Sequence, residues 1–553
     1  MAKEITHILS TDVLVVGGGI AGLTAAIRAK ELGVDVILAC KAMAGRSGAS
    51  VFIGGDYNHY PPGTDLDEVI KTAIRRSEYI DDQEMVDMIV RRARDIISKS
   101  IERWGVEYLK RGEKFRGSFY QGVPGICFKG GGPGLMGTVR TEAERVGVKI
   151  MDRITACELL TSDGKHSTKG SVVGTVGFDV RSGEFHVFKA KAVVLATGNW
   201  TIQVPYSEYD GSITGDGQGM AFRAGAEMRK MEQIAFQVKP AHGSVCNAEI
   251  GKIDHGLQQT VDKDGKEIRY LADKDKKYVR GKSVLPAIKA IKEGRGVYTS
   301  YRRGSAEDFL DLMDIAPYAT RALAAAGYEI PKDLVLNQIS FYGSGQGGGL
   351  KVNKNMETGI PGLFAAGSVT ERMYSSVQGI TGALITGWIA ADGAARYAGE
   401  VSAPEVHGDQ IDRLKSLIYG PLRVKDGVTY LQLRRKIRRI FEQGLGPGTR
   451  NKENLDKAVE EIEGIKKENL PRLMARDTHE LMMANSNRNI LEYMYLVAKA
   501  ALMRTESRGA HLRTDYPERD DENWMKWIVA KMEDGEIRFW TEDIPMPILK
   551  PGE

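Results

Sequence analysis

Residues 12–22 read DVLVVGGGIAG. Asp12 to Val16 is apolar almost throughout, as in a strand buried on both faces. Gly17-x-Gly19-x-x-Gly22 follows, and LTAAIRAKELG then carries a helical pattern to Gly33. Val34 to Ala39 (VDVILA) predicts a second parallel strand, completing a βαβ unit. Each glycine has a mechanical role in such a unit. Gly17 permits the tight turn, Gly19 lets backbone approach a pyrophosphate, and Gly22 lets the helix pack on the strand. The helix N-terminus then faces the phosphates. Placed between strand and helix, the motif points to dinucleotide binding. The pattern departs at the end of the second strand, where an acid for the ribose hydroxyls is expected and Cys40 stands instead. A thiol accepts hydrogen bonds poorly.

Working outward, residues 65–104 alternate apolar and charged positions at helical spacing and predict two helices. GGGPG at 130–134 precedes a further helix and has the composition of a turn able to receive an anion. Strands are expected at 150–160, 171–180 and 185–189 as a meander, then at 192–196 (AVVLA) as a buried strand. Residues 236–345 carry few strand signals and many polar loops, as an inserted cap would. Residues 405–510 are amphipathic, helical and charged, which fits a bundle. The residues from 511 are rich in Asp, Glu, Arg, Trp and Pro and predict an extended tail. The expected division is 1–235 and 346–404 for the two parts of a dinucleotide-binding domain, 236–345 for a capping domain, 405–510 for a helical domain and 511–553 for the tail.

Composition narrows the class. The chain has 553 residues, 77 basic against 73 acidic for a net charge of +4, and 64 glycines. Such a balance gives no electrostatic case for nucleic acid or a membrane surface as partner. Four cysteines, Cys40, Cys127, Cys157 and Cys246, form no CxxC pair. Thiolate zinc sites and iron–sulfur clusters held by this chain alone are excluded on that spacing, and no metal site is expected. A disulfide framework is equally unsupported, so a reducing, cytoplasmic setting is expected. No apolar run reaches the ~20 residues that span a bilayer, and a strand so near the first residue leaves no room for a signal peptide.

Five separated stretches carry a family resemblance. They are GGGIAG at 17–22 with KAMAGRSGASVFIGGDYN at 41–58, VVLATGN at 193–199, TGDGQGMAFRAGAEMRKME at 214–232, GIPGLFAAG at 359–367, and RTESRGAHLRTDYPERDD at 504–521. In this order they resemble the flavoprotein subunits of the fumarate reductase and succinate dehydrogenase superfamily. Lys41 to Ala49 and residues 176–198 look most like the adenylylsulfate reductase alpha subunit. The resemblance implies an α/β fold: a Rossmann-type FAD-binding domain, an inserted α+β capping domain and a C-terminal helical domain. It implies FAD as cofactor, with electrons passing to a separate iron–sulfur subunit. Matched position by position, FAD would contact Gly17, Gly19, Ala21, Gly22, Lys41, Arg46, Ser47, Gly54 and Gly55. Further on it would contact Ala156, Ala196, Thr197, Gly198, Asp216, Gly367, Ala383 and Leu384. Asp216 is the side-chain ligand among these. Some members attach FAD through a His directly after the Arg-Ser pair; Gly48 stands there, so the flavin is expected to be non-covalent.

The substrate groups of the fumarate and succinate members are largely replaced. Gln237 stands where those members have a His, SFYGSGQGGG at 340–349 lacks a second one, and Gln378 is the nearest polar group to the place of an Arg. A dicarboxylate needs cationic clamps, and a different substrate is expected. Arg280, 13 residues before Glu293, keeps the spacing of the superfamily's proton-donating Arg, although Gly281 replaces the usual Asp. Against adenylylsulfate reductase, Asn58 and Tyr60 match residues near the flavin. Lys239 falls on the sulfite-side Arg, Ser344 near the active-site His and Ile126 near a Glu. Asn58, Lys239, Arg280 and Ser344 are therefore the catalytic candidates. Trp200, His242 and His255 are weaker ones, each read as well by a core or loop role.

Overall fold

The computed structural model describes the chain except residues 1–5, 53–55, 59, 61, 116, 121–122, 201–210, 241–258, 269–281, 283, 316, 342–347, 372–378 and 447. Its largest sheet has seven strands: β1 (Thr6–Val16), β2 (Val36–Cys40), β3 (Lys149–Asp152), β4 (Ile154–Thr161), β5 (Val172–Asp179), β6 (Phe185–Leu195) and β7 (Leu363–Ala365). The order is β3-β2-β1-β6-β5-β4, with β7 on β6. Strands β3, β2, β1, β6 and β7 run parallel, and β6-β5-β4 form an antiparallel meander. Val13, Leu14 and Val15 are fully buried, as are Val193, Val194 and Leu195. That two-sided burial is why these stretches read as unbroken apolar runs.

The sequence predicts a break between 189 and 192, and the structure closes it. Strand β6 pairs with β1 from Thr6↔Phe185 to Val16↔Leu195. The intervening Lys191 reaches Asp12 at 2.9 Å. Four helices matter for the site: α1 (Ile20–Glu31), α2 (Asp216–Ala224), α3 (Gly379–Glu400) and α4 (Thr478–Met503). Small residues bring α3 against α1: a Cβ at Gly387 would lie 2.4 Å from the Ala21 carbonyl oxygen.

Between 236 and 345 the loop-rich reading gives way to a four-stranded antiparallel sheet. Phe236–Pro240, Val335–Phe341, Tyr298–Ser300 and Gln259–Val261 are neighbours in that order. Helices Leu285–Lys292, Ala306–Ile315 and Pro317–Ala325 accompany it. Between 405 and 510 the described residues are mainly helical, including Gly408–Ile418, Tyr430–Ile440, Lys452–Glu468 and α4. Leu433, Ile437 and Ile440 on Tyr430–Ile440 are buried while Arg435, Lys436 and Arg439 are exposed, the expected two faces of an amphipathic helix. Asp477 caps α4 by accepting from the Glu480 amide at 2.8 Å.

The expected extended tail from 511 is corrected. Lys526–Glu533 and Glu536–Asp543 form a hairpin that pairs with Met228–Arg229. The charged stretch before it is interior. Arg504, Glu506, Arg508 and His511 are fully buried. Arg504 binds Glu232 at 2.9 Å and Glu506 at 2.7 Å, and Arg508 binds Glu506 at 2.7 Å. Mutual neutralisation lets such a sequence leave water.

Candidate functional site

A cleft opens at the carboxyl ends of the parallel strands, where β1 runs into α1. The Rossmann rule places ligands there. Gly17, Gly19 and Ala21 line it at the turn. Ala196, Thr197 and Gly198 line it after β6, Gly367 after β7, and Ala156, Lys41, Ser47, Asp216 and Ala383 complete the predicted residues found there.

The turn is as tight as the motif implies. Gly17 has φ +116°, and a Cβ there would lie 2.3 Å from the Ala196 carbonyl oxygen. A Cβ at Gly22 would lie 1.9 Å from the Gly17 carbonyl oxygen, so Gly22 serves helix–strand packing and does not line the cleft. Gly19 is the N-cap of α1 and brings no side chain of its own to the helix end, whose first turn holds no acid. The Ile20 amide donates to Ser50 Oγ at 3.1 Å. This positive helix end faces the groove with space beside it: a Cβ at Gly19 would meet only Ser50 Oγ, at 3.3 Å.

Lys41 and Asp216 form the polar wall. Lys41 Nζ donates to Asp216 Oδ2 and to Thr214 Oγ1, both at 2.6 Å. Asn489 Nδ2 donates to Asp216 Oδ1 at 2.8 Å, and Thr214 Oγ1 lies 3.0 Å from both carboxylate oxygens. Burial works against charge on Asp216, but the Lys41 ammonium and these donors outweigh it and hold the carboxyl below its ordinary range. Strand β2 ends at Cys40, whose thiol burial pushes up, so it stays protonated. The acid beside this strand end is Asp152, paired across from Cys40 and accepting from the Ala44 amide at 2.7 Å, whereas Asp216 is tied to the next residue through the Lys41 ammonium.

These residues fit a flavin dinucleotide. The donor-rich helix end suits a pyrophosphate. Thr197 Oγ1 is buried without a hydrogen-bond partner at the cleft wall, and a Cβ at Gly198 would have only Ile213 within 4 Å, at 3.9 Å. The comparisons agree. Residues 12–383 match the family model of the FAD binding domain, and residues 434–553 match that of the fumarate reductase flavoprotein C-terminus.

The chain belongs to the fumarate reductase and succinate dehydrogenase flavoprotein family.

It is an FAD-dependent oxidoreductase. An FAD-dependent oxidoreductase of Methanocaldococcus jannaschii is 25% identical over 571 residues, covering 98% of this chain and 99% of that one. The fumarate reductase flavoprotein subunit of Haemophilus influenzae is 25% identical over 580 residues, covering 94% and 92%. In fold the chain is similar to the adenylylsulfate reductase of Archaeoglobus fulgidus, with TM-score 0.87 at 22% identity, covering 99% and 98%. No helix among the described residues is long and apolar enough to cross a membrane.

Other family positions are placed as follows. Arg46 is exposed, and Leu384 is buried at 1% without lining the cleft. Asn58 lies on the strand Asp56–Asn58 and its backbone N–H donates to Thr381 Oγ1 at 2.8 Å, two residues from the cleft's Ala383. Lys239 lies on Phe236–Pro240 opposite Gln338, and Gln237 opposite Ser340. Gly54, Gly55, Arg280, Ser344, Gln378, His242 and His255 lie outside the described residues. The four catalytic candidates are thus not seen together. Trp200 is fully buried, its ring 4.4 Å from that of Tyr493, which is a core role. The GGGPG stretch opens the helix Gly131–Arg145, with Gly130 as its left-handed N-cap.

Sequence reasoning missed Gly18, Ser50, Ser212, Ile213 and Ser368 among the lining residues, and Asn489 behind Asp216. Gly18 had a signal: it is the middle of three glycines, and a Cβ there would lie 2.5 Å from Ala44 Cα. Asn489 had none, being one polar residue on a helix more than 270 positions away.

Proposed function

We propose that this chain is a flavoprotein subunit that exchanges two electrons between a small substrate beneath residues 236–345 and a separate iron–sulfur chain. The observation that carries the reading is the cleft itself. Its glycine-capped, acid-free helix end, its glycine-lined walls and its Lys41–Asp216 ion pair are arranged along one groove, as a non-covalent dinucleotide needs. FAD supplies hydride and single-electron chemistry when bound. Gly17, Gly19 and the α1 amides would hold the pyrophosphate, Asp216 a ribose hydroxyl, and Gly198, Gly367 and Ala383 the remaining length. Gly48 carries no side chain for covalent attachment. Cys40, Cys127 and Cys157 are buried and in no disulfide, in keeping with a cytoplasmic setting. The iron–sulfur partner is supported by the H. influenzae relative, which is itself a flavoprotein subunit, and by the lack of any cluster-binding cysteine spacing here.

The substrate reading follows from charge. Gln237 offers no cation for a dicarboxylate, whereas Lys239 can meet an anion as a point charge. We favour a mono-anionic organic or thioester-like substrate over fumarate, succinate or adenylylsulfate. Arg280 and Ser344 are kept as proton-transfer and substrate-contact candidates, with Asn58 on the flavin side. The test separates site from scaffold. Lys239→Ala should lower turnover by about tenfold or more with flavin content unchanged, because it removes an ionic contact worth roughly 1.5–3 kcal/mol. Equal loss of both would make Lys239 structural. Acid precipitation should release all yellow flavin to the supernatant; flavin in the pellet would refute non-covalent binding.

A further inference from the structure

Three asparagines follow one another at alternate positions on α4: Asn485, Asn487 and Asn489. Two bond to neighbouring backbone in the helical region. Asn485 Nδ2 donates to the Ile418 and Leu481 carbonyls, at 3.2 and 2.9 Å, and Asn487 Nδ2 to the Tyr430 carbonyl at 2.9 Å, with Asn487 Oδ1 accepting from Arg434 Nε at 3.2 Å. Asn489 differs. Its amide donates to Asp216 Oδ1 at 2.8 Å, and Asp216 lines the FAD cleft. Its carbonyl oxygen accepts from Arg223 Nη1 at 3.0 Å.

Everything around this amide fixes which way it points. A flip would set its NH2 against a guanidinium and its oxygen against a carboxylate. Arg223 cannot yield, because Glu158 binds it at 3.0 Å and Glu492 at 2.6 Å, while Arg488 holds Glu158 from the other side at 3.1 Å. The group is interior, with Asn489 5%, Arg223 8% and Glu158 1% exposed. The helix α2 makes room for it: a Cβ at Gly219 would lie 2.6 Å from Asn489 Oδ1. Lys41, which lines the cleft, holds Asp216 Oδ2, and Thr214 bonds both carboxylate oxygens; Asn489 holds Oδ1 from α4. A hydrogen bond to an ionised group in a low-dielectric interior is strong, and an oriented amide between opposite charges is stabilised at both ends.

We infer that Asn489 is a positioning residue for FAD, which holds the Asp216 carboxylate at the cleft wall and so ties the C-terminal helical region to cofactor retention. The inference rests on the reading that Asp216 touches FAD. Asn489 itself meets no cofactor atom; it acts through Asp216.

The test is a double-mutant cycle on the rate at which the holoenzyme releases FAD after dilution, followed by flavin fluorescence. Asn489→Leu should speed release about tenfold, the loss of one hydrogen bond to a charged group. In an Asp216→Asn background the same change should alter release by less than about twofold, since the partner is already neutral. Asn487→Leu, on the same helix, should lower the melting temperature but leave release within about twofold. A fold effect at Asn489 would move release by the same factor in both backgrounds, and that result overturns the inference, as does an unchanged rate in Asn489→Leu. An unchanged rate in Asp216→Asn alone would overturn the reading beneath it as well. Should Asn489→Leu not fold, Asn489→Ser runs the same cycle: coupling to Asp216 upholds the inference, and equal factors in both backgrounds overturn it.

Discussion

Between Gly17 and Gly22 the chain makes its site by leaving side chains out; between Arg504 and Arg513 it makes its interior by burying them with their charges. The first region is backbone against backbone. Turn and helix close so tightly that a Cβ at Gly22 would sit 1.9 Å from a carbonyl oxygen. The second is a lattice of ions. Arg504 and Arg508 share Glu506, Arg504 also binds Glu232, and Arg450 donates to the Glu232 carbonyl at 2.7 Å. At its centre His511 accepts from Arg450 at 3.2 Å on Nδ1, and its Nε2 lies 3.3 Å from the Arg504 carbonyl. The glycine region serves a ligand. The ionic region joins the Met228–Glu232 stretch, the helical region and the C-terminal hairpin into one body.

Three measurements can break or sharpen this contrast. Gly22→Ala should have the largest effect. No flexible atom can move aside, so we expect destabilisation above about 4 kcal/mol and protein without flavin; a folded, yellow variant would refute the close packing. Arg504→Met should come next. It leaves Glu232 and Glu506 buried with fewer partners, at a cost of about 3–5 kcal/mol in denaturant unfolding. Flavin that stays bound at low denaturant would keep the two regions distinct, and flavin lost in parallel would merge them.

The smallest effect is a pH dependence at His511. Burial first, then the charges of Arg450, Arg504 and Arg513, hold its pKa well below the ordinary value. The folded state therefore stays unprotonated where the unfolded chain binds a proton. Stability is fully present above the unfolded value of about 6.5 and falls below it by about 1.4 kcal/mol per pH unit, until the folded value is reached. His511→Asn should flatten the slope between about pH 5 and 7, and a slope that survives would assign it elsewhere.

The difference between the regions also explains what could be read in advance. The GxGxxG turn announces itself because its constraint is local: four glycines within six positions, framed by an apolar run and a helix. The parallel core and a dinucleotide site follow from such contiguous signals, whereas FAD and the place of Lys41 were expected from the resemblance of several separated stretches to a flavoprotein family. The C-terminal stretch misled because a count of charges assumes water around them, and the pairing of Arg504 with Glu232 spans 272 positions. The merged strand β6 was obscured by Lys191, whose charge is answered by distant Asp12. Asn489 was invisible for the same reason. Its partner Asp216 is named by a motif, whereas the bond between them exists only in three dimensions.

The central claim is that FAD is the redox centre of this chain and that any iron–sulfur cluster belongs to a partner. An anaerobic reductive titration of the isolated, flavin-loaded chain tests it most directly. The account predicts uptake of two electrons per chain, with the whole absorbance change belonging to the flavin. Uptake beyond two electrons, with bleaching of a broad visible band that persists after flavin removal, would contradict it.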